Sequence, residues 1–220
     1  MKDFWNERYS AEEYAYGEEP NEYFAEKLSE LDCGKILLPA DGEGRNGVFA
    51  AKLGWSVTSF DISESGKEKA EKLAQKNNVA IKYDIADVET FTNLKIGDEG
   101  RGTRDEENRQ IAESHKSIQP KEESFDVIAL IFAHFHEDKR KIYHQRLDKL
   151  LKPGGYIIME AFSKNHTHYN RLNEQVGGPK DEKMLYDLSD IKQEFPNYSL
   201  IELKEAELLL NEGAYHKGKG

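Results

Sequence analysis

A glycine-rich turn followed by an acidic residue is the first feature of this sequence that could do chemistry. Gly42, Gly44 and Gly47 come after an apolar run, and Asp61 ends the next β-branched and aromatic run, about 20 residues past Gly42. Glycines let a backbone turn tightly and approach a ligand closely. A carboxylate at a strand end can accept hydrogen bonds from ribose hydroxyls. We therefore predict a nucleoside cofactor site; the alternative is a turn that only shapes a packed α/β core.

The elements around this turn are predicted from the local hydrophobic pattern. Residues 36–38 form an apolar run typical of a buried strand. Residues 48–53 begin a helix that ends at Gly54, and residues 57–60 form a second strand. The order of strand, glycine turn, helix, strand and acid is that of a nucleotide-binding βαβ unit.

The charges inside the turn bear on which nucleoside it binds. Asp41 and Glu43 would both repel a pyrophosphate, which normally rests on a helix N-terminus. They would tolerate a ligand that is cationic at its centre, such as the sulfonium of S-adenosylmethionine. Arg45 weakens this argument from charge. The pattern therefore favours a methyltransferase over an NAD-dependent oxidoreductase, whose fingerprint residues 42–47 also fit.

The composition limits the class of protein. A length of 220 residues suits one α/β domain with a sizeable core, and the net charge of −11 argues against nucleic-acid phosphates as the main partner. The single cysteine, Cys33, excludes an intrachain disulfide and fits a reducing compartment. No apolar run is long enough to span a bilayer. We expect a soluble cytoplasmic protein without nucleic-acid or membrane partners, either a monomer or a weak homodimer.

The N-terminal residues 4–24 are unusually rich in aromatic side chains. One interpretation is that these side chains cap an edge of the sheet. The other is a lid over the cofactor, with aromatic faces near the sulfonium. The residues favoured for this lid are Trp5, Arg8, Tyr9 and Tyr16. A helix over residues 21–31 is predicted to follow, with Asn21 as its N-cap.

The remaining elements continue the alternation of strands and helices. Residues 92–122 carry many charges and few apolar residues, so we interpret them as an insertion, either a flap near the site or a solvated loop. The other predictions are a helix over 64–77 capped by Ser63, a strand over 80–83 ending at Asp84, strands over 125–132 and 156–160, a helix over 137–151, a polar loop over 164–181, a short helix capped by Ser189, and an antiparallel strand over 200–210.

Two histidines, His134 and His136, follow the strand predicted over 125–132. Their spacing could suggest a metal site, but no cysteine or further histidine–carboxylate cluster accompanies them. We therefore predict no metal ligands here.

Several longer motifs resemble a known family. They are Trp-Asn-Glu-Arg-Tyr at 5–9, Glu-Tyr-Ala-Tyr-Gly at 13–17, Gly-Glu-Gly-Arg-Asn at 42–46, Ile-Phe-Ala-His at 131–134, Leu-Lys-Pro-Gly-Gly at 151–155, Glu-Ala-Phe at 160–162 and Glu-Gly-Ala-Tyr-His-Lys-Gly at 212–218. Together they resemble the small class I S-adenosylmethionine-dependent methyltransferases of the tellurite-resistance type, which are more distantly similar to the thiopurine methyltransferases. The resemblance covers nearly the whole chain except residues 92–122.

The sequence departs from this family in the first strand motif. Leu38 stands where family members usually carry an acid, Ala40 replaces the first glycine, and Asp41 fills the variable position. The family acid helps to hold the methionine amino group of the cofactor, and Asp41 is the candidate to substitute for it.

The resemblance also implies roles for individual residues. Asp84 would accept a hydrogen bond from the adenine amino group, Ile85 would pack on the adenine ring, and His134 would lie beside the methyl donor. A nitrogen or oxygen nucleophile would need a general base, for which His134 and Tyr16 are the candidates. The predicted cofactor-binding residues are Trp5, Arg8, Tyr9, Ala40, Asp41, Gly42, Gly44, Arg45, Asn46, Asp61, Ile62, Asp84, Ile85 and Phe132.

These observations predict one doubly wound, mostly parallel α/β sheet with helices on both faces, a Rossmann-like class I methyltransferase fold with a late antiparallel strand. The expected activity is methyl transfer from S-adenosylmethionine to a small-molecule acceptor, for example a thiol or a chalcogen anion, releasing S-adenosylhomocysteine. The alternatives are an NAD-dependent oxidoreductase and a non-catalytic S-adenosylmethionine-binding module.

Overall fold

The computed structural model describes residues 1–93 and 123–220 of the chain. The helices are α1 Lys2–Tyr9, α2 Glu22–Ser29, α3 Arg45–Lys52, α4 Glu64–Lys76, α5 Val88–Asn93, α6 Glu137–Asp148, α7 His166–Leu172 and α8 Leu188–Glu194. The strands are β1 Lys35–Pro39, β2 Ser56–Asp61, β3 Lys82–Ile85, β4 Phe125–Ile131, β5 Leu151–Glu160, β6 Leu209–Glu212 and β7 His216–Lys219. Short 3-10 helices cover Glu174–Val176 and Glu182–Met184.

The first five strands form one parallel sheet in the order β3-β2-β1-β4-β5. The direction of strand addition therefore reverses between β1 and β4. Open α/β sheets bind ligands at such a switch point, outside the carboxyl ends of the strands. The glycine turn follows β1 at this place. The predicted fold, a doubly wound parallel sheet covered by helices, is confirmed.

The sheet is buried on both faces, which explains why β1 and β4 are apolar at nearly every position. On one face, Leu37, Phe60 and Ile128 pack in a core with side chains of α5 and α6. On the other face, Ile36 and Val57 pack in a core with side chains of α2 and α3. Alternate residues of the same strands thus supply two separate hydrophobic cores.

Local capping signals were readable from the sequence at two of the helices. Asn21 accepts a hydrogen bond from a backbone N–H in the first turn of α2 at 2.9 Å, and Ser63 does the same for α4 at 3.0 Å. Both caps are confirmed. The prediction of Ser189 as a cap is wrong, because α8 begins at Leu188 and the carboxylate of Asp187 accepts from the backbone N–H groups of its first turn.

The second half of the chain differs from the sequence prediction at several boundaries. β5 begins at Leu151, so residues 153–155 lie inside the strand and not before it. α7 occupies part of the predicted polar loop over 164–181. The predicted antiparallel strand begins only at Leu209, and it pairs with β7 in a separate two-stranded sheet. Residues 201–208 belong to no helix or strand, and most of their side chains are exposed in the described structure.

The predicted insertion over residues 92–122 lies almost wholly outside the described residues. Only its first two residues are seen, at the end of α5. In the two described ranges, no helix combines the length and the apolar character needed to cross a bilayer. The single-domain organisation stays a prediction.

The packing of two helices sets the requirement for glycine at position 44. Gly44 has a φ of +81°, and a Cβ on it would lie 2.4 Å from the Cβ and 2.9 Å from the Cα of Ala70 on α4. Gly154 has a similar φ of +79°, but no atom lies within 4 Å of the place of its Cβ. The two glycines therefore share a left-handed backbone and differ in crowding.

We expect Gly44→Ala to lower the free energy of unfolding by clearly more than Gly154→Ala. Gly154→Ala is the control, and it carries only the cost of an alanine in the left-handed conformation, roughly 1–2 kcal/mol. The Gly44 variant adds overpacking against α4, typically about 1–3 kcal/mol more. Urea unfolding of both variants measures the difference. Equal losses would mean that α3 and α4 separate freely at this contact.

Candidate active site

The carboxylate of Asp61 holds the glycine turn to the end of β2. Its Oδ2 accepts a hydrogen bond from the backbone N–H of Gly42 at 3.1 Å, and its Oδ1 accepts one from Ser63 at 2.9 Å. The backbone N–H of Ile62 also interacts with this carboxylate. Asp61 is 7% exposed, and burial raises the pKa of its carboxyl group. Carboxylate oxygens together offer about four lone-pair sites, so acceptor capacity remains for a ribose hydroxyl.

Two buried tyrosines enclose the same turn. The hydroxyl of Tyr83 donates to the carbonyl oxygen of Gly42 at 2.5 Å. The hydroxyl of Tyr9 lies 2.7 Å from the place where a Cβ on Gly42 would be. Burial raises the pKa of both phenols well above the ordinary value, so both remain protonated donors at neutral pH. Glycine at position 42 is needed because Tyr9 takes the space of a side chain.

The side chain of Asp41 turns beneath the first turn of α3. Its Oδ2 accepts a hydrogen bond from the hydroxyl of Ser59 at 2.8 Å and lies 2.5 Å from the place of a Cβ on Gly47. Its Oδ1 is buried and has no hydrogen-bond partner among the described residues. Burial raises the pKa of Asp41 to about 7. This buried oxygen could accept a hydrogen bond from an ammonium group. It therefore fits the predicted contact with the methionine amino group of the cofactor.

The argument from charge in the turn needs a correction at Glu43. Its carboxylate does not face a ligand; it accepts a hydrogen bond from Lys69 Nζ at 2.8 Å and one from the backbone N–H of Ala15 at 2.8 Å. Because the charge of Glu43 is paired, it would not repel a pyrophosphate. The argument from charge against a dinucleotide is left with Asp41, whose carboxyl group is itself buried and has a pKa raised to about 7.

Two predicted cofactor residues instead hold distant segments of the chain. Arg45 Nη2 donates to Oε2 of Glu212 at 2.9 Å, and its Nη1 donates to the carbonyl oxygens of Tyr16 and Glu19 at 3.2 and 3.3 Å. Asn46 accepts a hydrogen bond from the backbone N–H of residue 21 at 2.9 Å. Both Nη atoms of Arg45 and the amide oxygen of Asn46 are thus engaged by protein. A role in cofactor binding would be indirect, through the segments that they position.

The N-terminal segment lies over the glycine turn. We call residues 4–20 the lid. Trp5 stacks on Tyr9 with ring centroids 5.4 Å apart. The guanidinium of Arg8 lies 3.7 Å from the ring centroid of Tyr215 and donates to the hydroxyl of Tyr16 at 3.3 Å. This position, at the carboxyl end of the strands, is the one that the lid interpretation requires, whereas packing on a side edge of the sheet would not bring Tyr9 to Gly42.

Strained backbone occurs at the carboxyl ends of β1 and β4. Ala40, after β1, has a φ of +55°, and Phe132, after β4, has a φ of +52°. Residues other than glycine rarely adopt this region, and such strain persists only where the surrounding structure enforces it. At Ala40 the left-handed conformation is present although the sequence lacks the glycine usual in the resembled family.

The end of β3 lies beside Asp61. In the parallel register, Asp84 pairs with Phe60 and Ile85 pairs with Asp61. Ile85 is 39% exposed, so an apolar side chain stands free next to the predicted ribose site. The adenine contacts of Asp84 and Ile85 stay predictions, and their positions fit them.

His134, the favoured catalytic candidate, serves the scaffold. Its Nδ1 donates to the carbonyl oxygen of Met184 at 2.8 Å, and its Nε2 accepts from the backbone N–H of Phe162 at 3.3 Å. Burial lowers its pKa to about 4. With both ring nitrogens bound to backbone, this imidazole has no lone pair left for a substrate proton. The sequence could not reveal this, because both partners come from distant segments.

A histidine that the sequence reasoning did not single out lies in an aromatic cluster beside the lid. His216 Nδ1 is 2.8 Å from Oε2 of Glu212. Its ring centroid lies 4.5 Å from that of Phe132, 4.6 Å from that of Tyr16 and 5.3 Å from that of Phe162. A carboxylate on Nδ1 fixes the tautomer in which Nε2 carries the lone pair. The motif at 212–218 contained this pair, but only the hairpin of β6 and β7 makes the two groups face each other.

The electrostatics of this dyad keep the imidazole neutral and the carboxylate ionised. Burial lowers the pKa of His216, although Glu212 opposes the effect. For Glu212, burial acts to raise the pKa, but His216 and Arg45 together lower it to about 2. Burial also raises the pKa of Tyr16, so its phenol is a donor and a poor base at neutral pH. Of the two groups, His216 is therefore the better proton acceptor.

Among the described residues, no group of three or more histidine, cysteine, aspartate or glutamate side chains is arranged to hold a metal ion. His136, the second histidine of the predicted pair, lies instead at the N-cap of α6, where its ring faces Asp138 and Asp181.

We expect the pH dependence of stability to report the partly buried His134. Its pKa is 6.5 ordinarily and about 4 in the folded protein, so the unfolded chain binds the proton more tightly. The stabilisation is fully present above pH 6.5 and falls, by on the order of 3 kcal/mol, as the pH drops to about 4. Urea unfolding of the wild type and His134→Asn between these pH values tests this. In His134→Asn the free energy of unfolding should depend much less on pH. His168→Asn, at an exposed position of α7, should keep the pH dependence of the wild type.

Comparison with known proteins establishes the fold. No family model and no curated protein matches this sequence. A solved structure described for the conversion of a disulfide bond into a thioacetal group during echinomycin biosynthesis is 17% identical, with a TM-score of 0.66, over 94% of this chain and 82% of that chain. TehB from Haemophilus influenzae is 18% identical, with a TM-score of 0.60, over 99% of this chain and 64% of that chain. A candidate methyltransferase from Bacillus halodurans is 16% identical, with a TM-score of 0.54, over 78% of this chain and 66% of that chain.

These identities are too low to transfer an activity, and the chain spans less than two thirds of the length of the TehB chain. The likeness in three dimensions, together with the strand order and the separate antiparallel pair, shows that the chain has the Rossmann-like fold of the class I methyltransferases.

Proposed function

We propose that this protein transfers a methyl group from S-adenosylmethionine to a small-molecule acceptor. The observation that carries the proposal is that one lid contacts two groups, through Tyr9 at the glycine turn and through Tyr16 at His216. The first is the buried carboxylate of Asp61, bound to the N–H of Gly42. The second is the His216–Glu212 dyad in its aromatic cluster. The first suits a nucleoside, and the second suits a proton transfer near it.

The residues present fit the cofactor in three respects. Asp61 retains acceptor capacity for a ribose hydroxyl. Ile85 offers an exposed apolar surface beside it for adenine. Asp41 Oδ1 is a buried acceptor without a partner in the described residues, suited to an ammonium group. When bound, S-adenosylmethionine supplies an electrophilic methyl group on a cationic sulfur, and the aromatic faces of the lid would favour that charge.

The chain's own residues would contribute orientation, exclusion of water and one proton transfer. Alignment of the reacting groups can supply on the order of 7–11 kcal/mol in favourable cases. The lid covers the glycine turn and would exclude water. Glu212 holds His216 in the tautomer whose Nε2 carries the lone pair. Where the nucleophilic atom of the methyl acceptor bears a proton, His216 would remove that proton. Soft anions such as thiolates or chalcogen anions would need no such base.

The alternative of an NAD-dependent oxidoreductase is kept because Glu43 no longer argues against a pyrophosphate. Calorimetric titration with S-adenosylmethionine and with NAD separates the two. A non-catalytic binding module would bind S-adenosylmethionine without turnover on any acceptor. We further propose a monomer or weak homodimer that acts on small molecules in the cytoplasm, without nucleic-acid or membrane partners.

We expect Asp61→Asn to weaken S-adenosylmethionine and S-adenosylhomocysteine binding in parallel, by about tenfold to a hundredfold. Hydrogen bonds to a charged group contribute roughly 1.5–3 kcal/mol, at about 1.4 kcal/mol per decade, and the ribose is common to both ligands. Asparagine keeps one of the two acceptor oxygens, and urea unfolding reports whether the variant remains folded. Asp126→Asn is the matched control, because Asp126 binds a backbone N–H at the opposite end of the sheet. Unchanged affinity in a folded Asp61 variant would refute this site.

We expect His216→Asn to discriminate between classes of acceptor. For phenols, amines and other acceptors that lose a proton, the rate should fall by about a hundredfold or more, the usual contribution of a general base. For thiolates, selenite and tellurite the loss should be much smaller. Release of S-adenosylhomocysteine reports turnover over this panel, with His168→Asn as the control. An equal loss for every acceptor would assign His216 to binding and not to proton transfer.

A further inference from the structure

A buried ion pair joins the glycine turn, the lid and α4. Lys69 Nζ donates to Glu43 Oε1 at 2.8 Å and to the carbonyl oxygen of Glu13 at 2.6 Å. Glu43 Oε2 accepts from the backbone N–H of Ala15 at 2.8 Å, and the N–H of Tyr16 adds a further hydrogen bond. The two charged side chains are only 9% and 3% exposed. The ion pair itself joins the glycine turn to α4, and the other contacts connect these two elements to lid residues 13–16.

The same stretch of lid is held from its other side by the hairpin that carries His216. The carbonyl oxygen of Ala15 accepts a hydrogen bond from the backbone N–H of Ala214 at 2.9 Å. Gly213 lies against this stretch so closely that a Cβ on it would be 2.3 Å from the carbonyl oxygen of Ala15. Lid residues 13–16 are therefore fixed between the cofactor turn and the hairpin.

We propose that Glu43 and Lys69 form a latch that keeps the lid closed and thereby sets the rate at which cofactor enters and product leaves. This inference rests on the proposed methyltransferase function. The closed lid places Tyr9 directly over Gly42, so a nucleoside reaches Asp61 only when the lid opens. Opening must separate the backbone of Ala15 from Glu43, which leaves the buried ion pair without the hydrogen bonds that satisfy it.

A second ion pair provides a matched control. Lys76, on the same helix as Lys69, pairs with Glu18 in the same lid, but these side chains are 64% and 39% exposed. Exposed pairs contribute little, because water solvates both charges whether or not they meet. Removing this pair changes the same number of charges, one of them again on α4, without touching the latch.

The experiment measures the kinetics of S-adenosylhomocysteine exchange by stopped-flow fluorescence of Trp5, in a Trp55→Phe background. The variants are Glu43→Gln, Lys69→Met and the double variant Glu43→Gln/Lys69→Met, with Glu18→Gln/Lys76→Met as the control. The double variant leaves no unpaired buried charge, so it keeps the test valid if a single variant does not fold. Hydrogen exchange of the amides of Ala15 and Tyr16, without ligand, reports opening directly.

We expect dissociation to accelerate by about tenfold to a hundredfold in the latch variants, corresponding to hydrogen bonds to charged groups of roughly 1.5–3 kcal/mol. Association should also accelerate, because a gate slows both directions. If the variants only weakened the contacts with the ligand, the dissociation rate would rise and the association rate would stay unchanged. Exchange of the two amides should rise in parallel, while the control should behave as the wild type.

Two results would overturn the latch. One is a folded double variant whose association rate and amide exchange match those of the wild type. The other is an equal effect in the control, which would mean that any lid charge acts in this way. If the wild type itself binds no S-adenosylhomocysteine, the proposed function fails, and the role of the latch in exchange fails with it. Amide exchange would then still report whether the pair holds the lid closed.

Discussion

Two buried ion pairs, Glu43 with Lys69 and Arg45 with Glu212, support the rest of the candidate site. The first joins the glycine turn to α4 and, through the hydrogen bonds of Glu43 and Lys69, to the lid. The second joins the start of α3 to the hairpin of β6 and β7. Removing one partner of such a pair typically costs about 3–5 kcal/mol, because the other charge stays buried. The turn, the lid and the hairpin therefore form one interdependent unit, in which displacement of any member leaves charges unpaired in the others.

This unit differs from the sheet in what holds it together. The parallel strands are fixed by backbone ladders and by two continuous hydrophobic cores. The hairpin of β6 and β7 has no backbone ladder with the sheet. Its contacts with the glycine turn are polar, chiefly the bond from Arg45 to Glu212. The sheet is thus held by ladders together with large apolar burial, whereas the catalytic candidate His216 is placed by a small aromatic cluster and by a few polar bonds, which lose their strength with a small displacement.

Local signals made most of the scaffold predictable. The run from Ile36, the glycine turn and the spacing to Asp61 identified the βαβ unit, and side-chain chemistry at Asn21 and Ser63 identified two helix starts. The roles of Glu43, Arg45 and His134 were not predictable, because each depends on a partner far away in the sequence that no local pattern specifies. The antiparallel strand was misplaced for a related reason. Strand formation also requires a neighbour, and residues 201–207 pair with no strand within the described structure.

The sequence separation across the site has a consequence for how the protein is made. Hydrogen bonds from Asn21 and Arg45 to Glu212 span 191 and 167 positions. Contacts of such length form late, because a long loop must close before they are gained. During synthesis, the strands and helices near the N-terminus are expected to assemble while Glu212 is still untranslated, leaving Arg45 hydrated and the lid without its far support. Competence to bind a cofactor would then arise at the last step of folding, and a ligand that favours the closed site would selectively stabilise chains that have reached it.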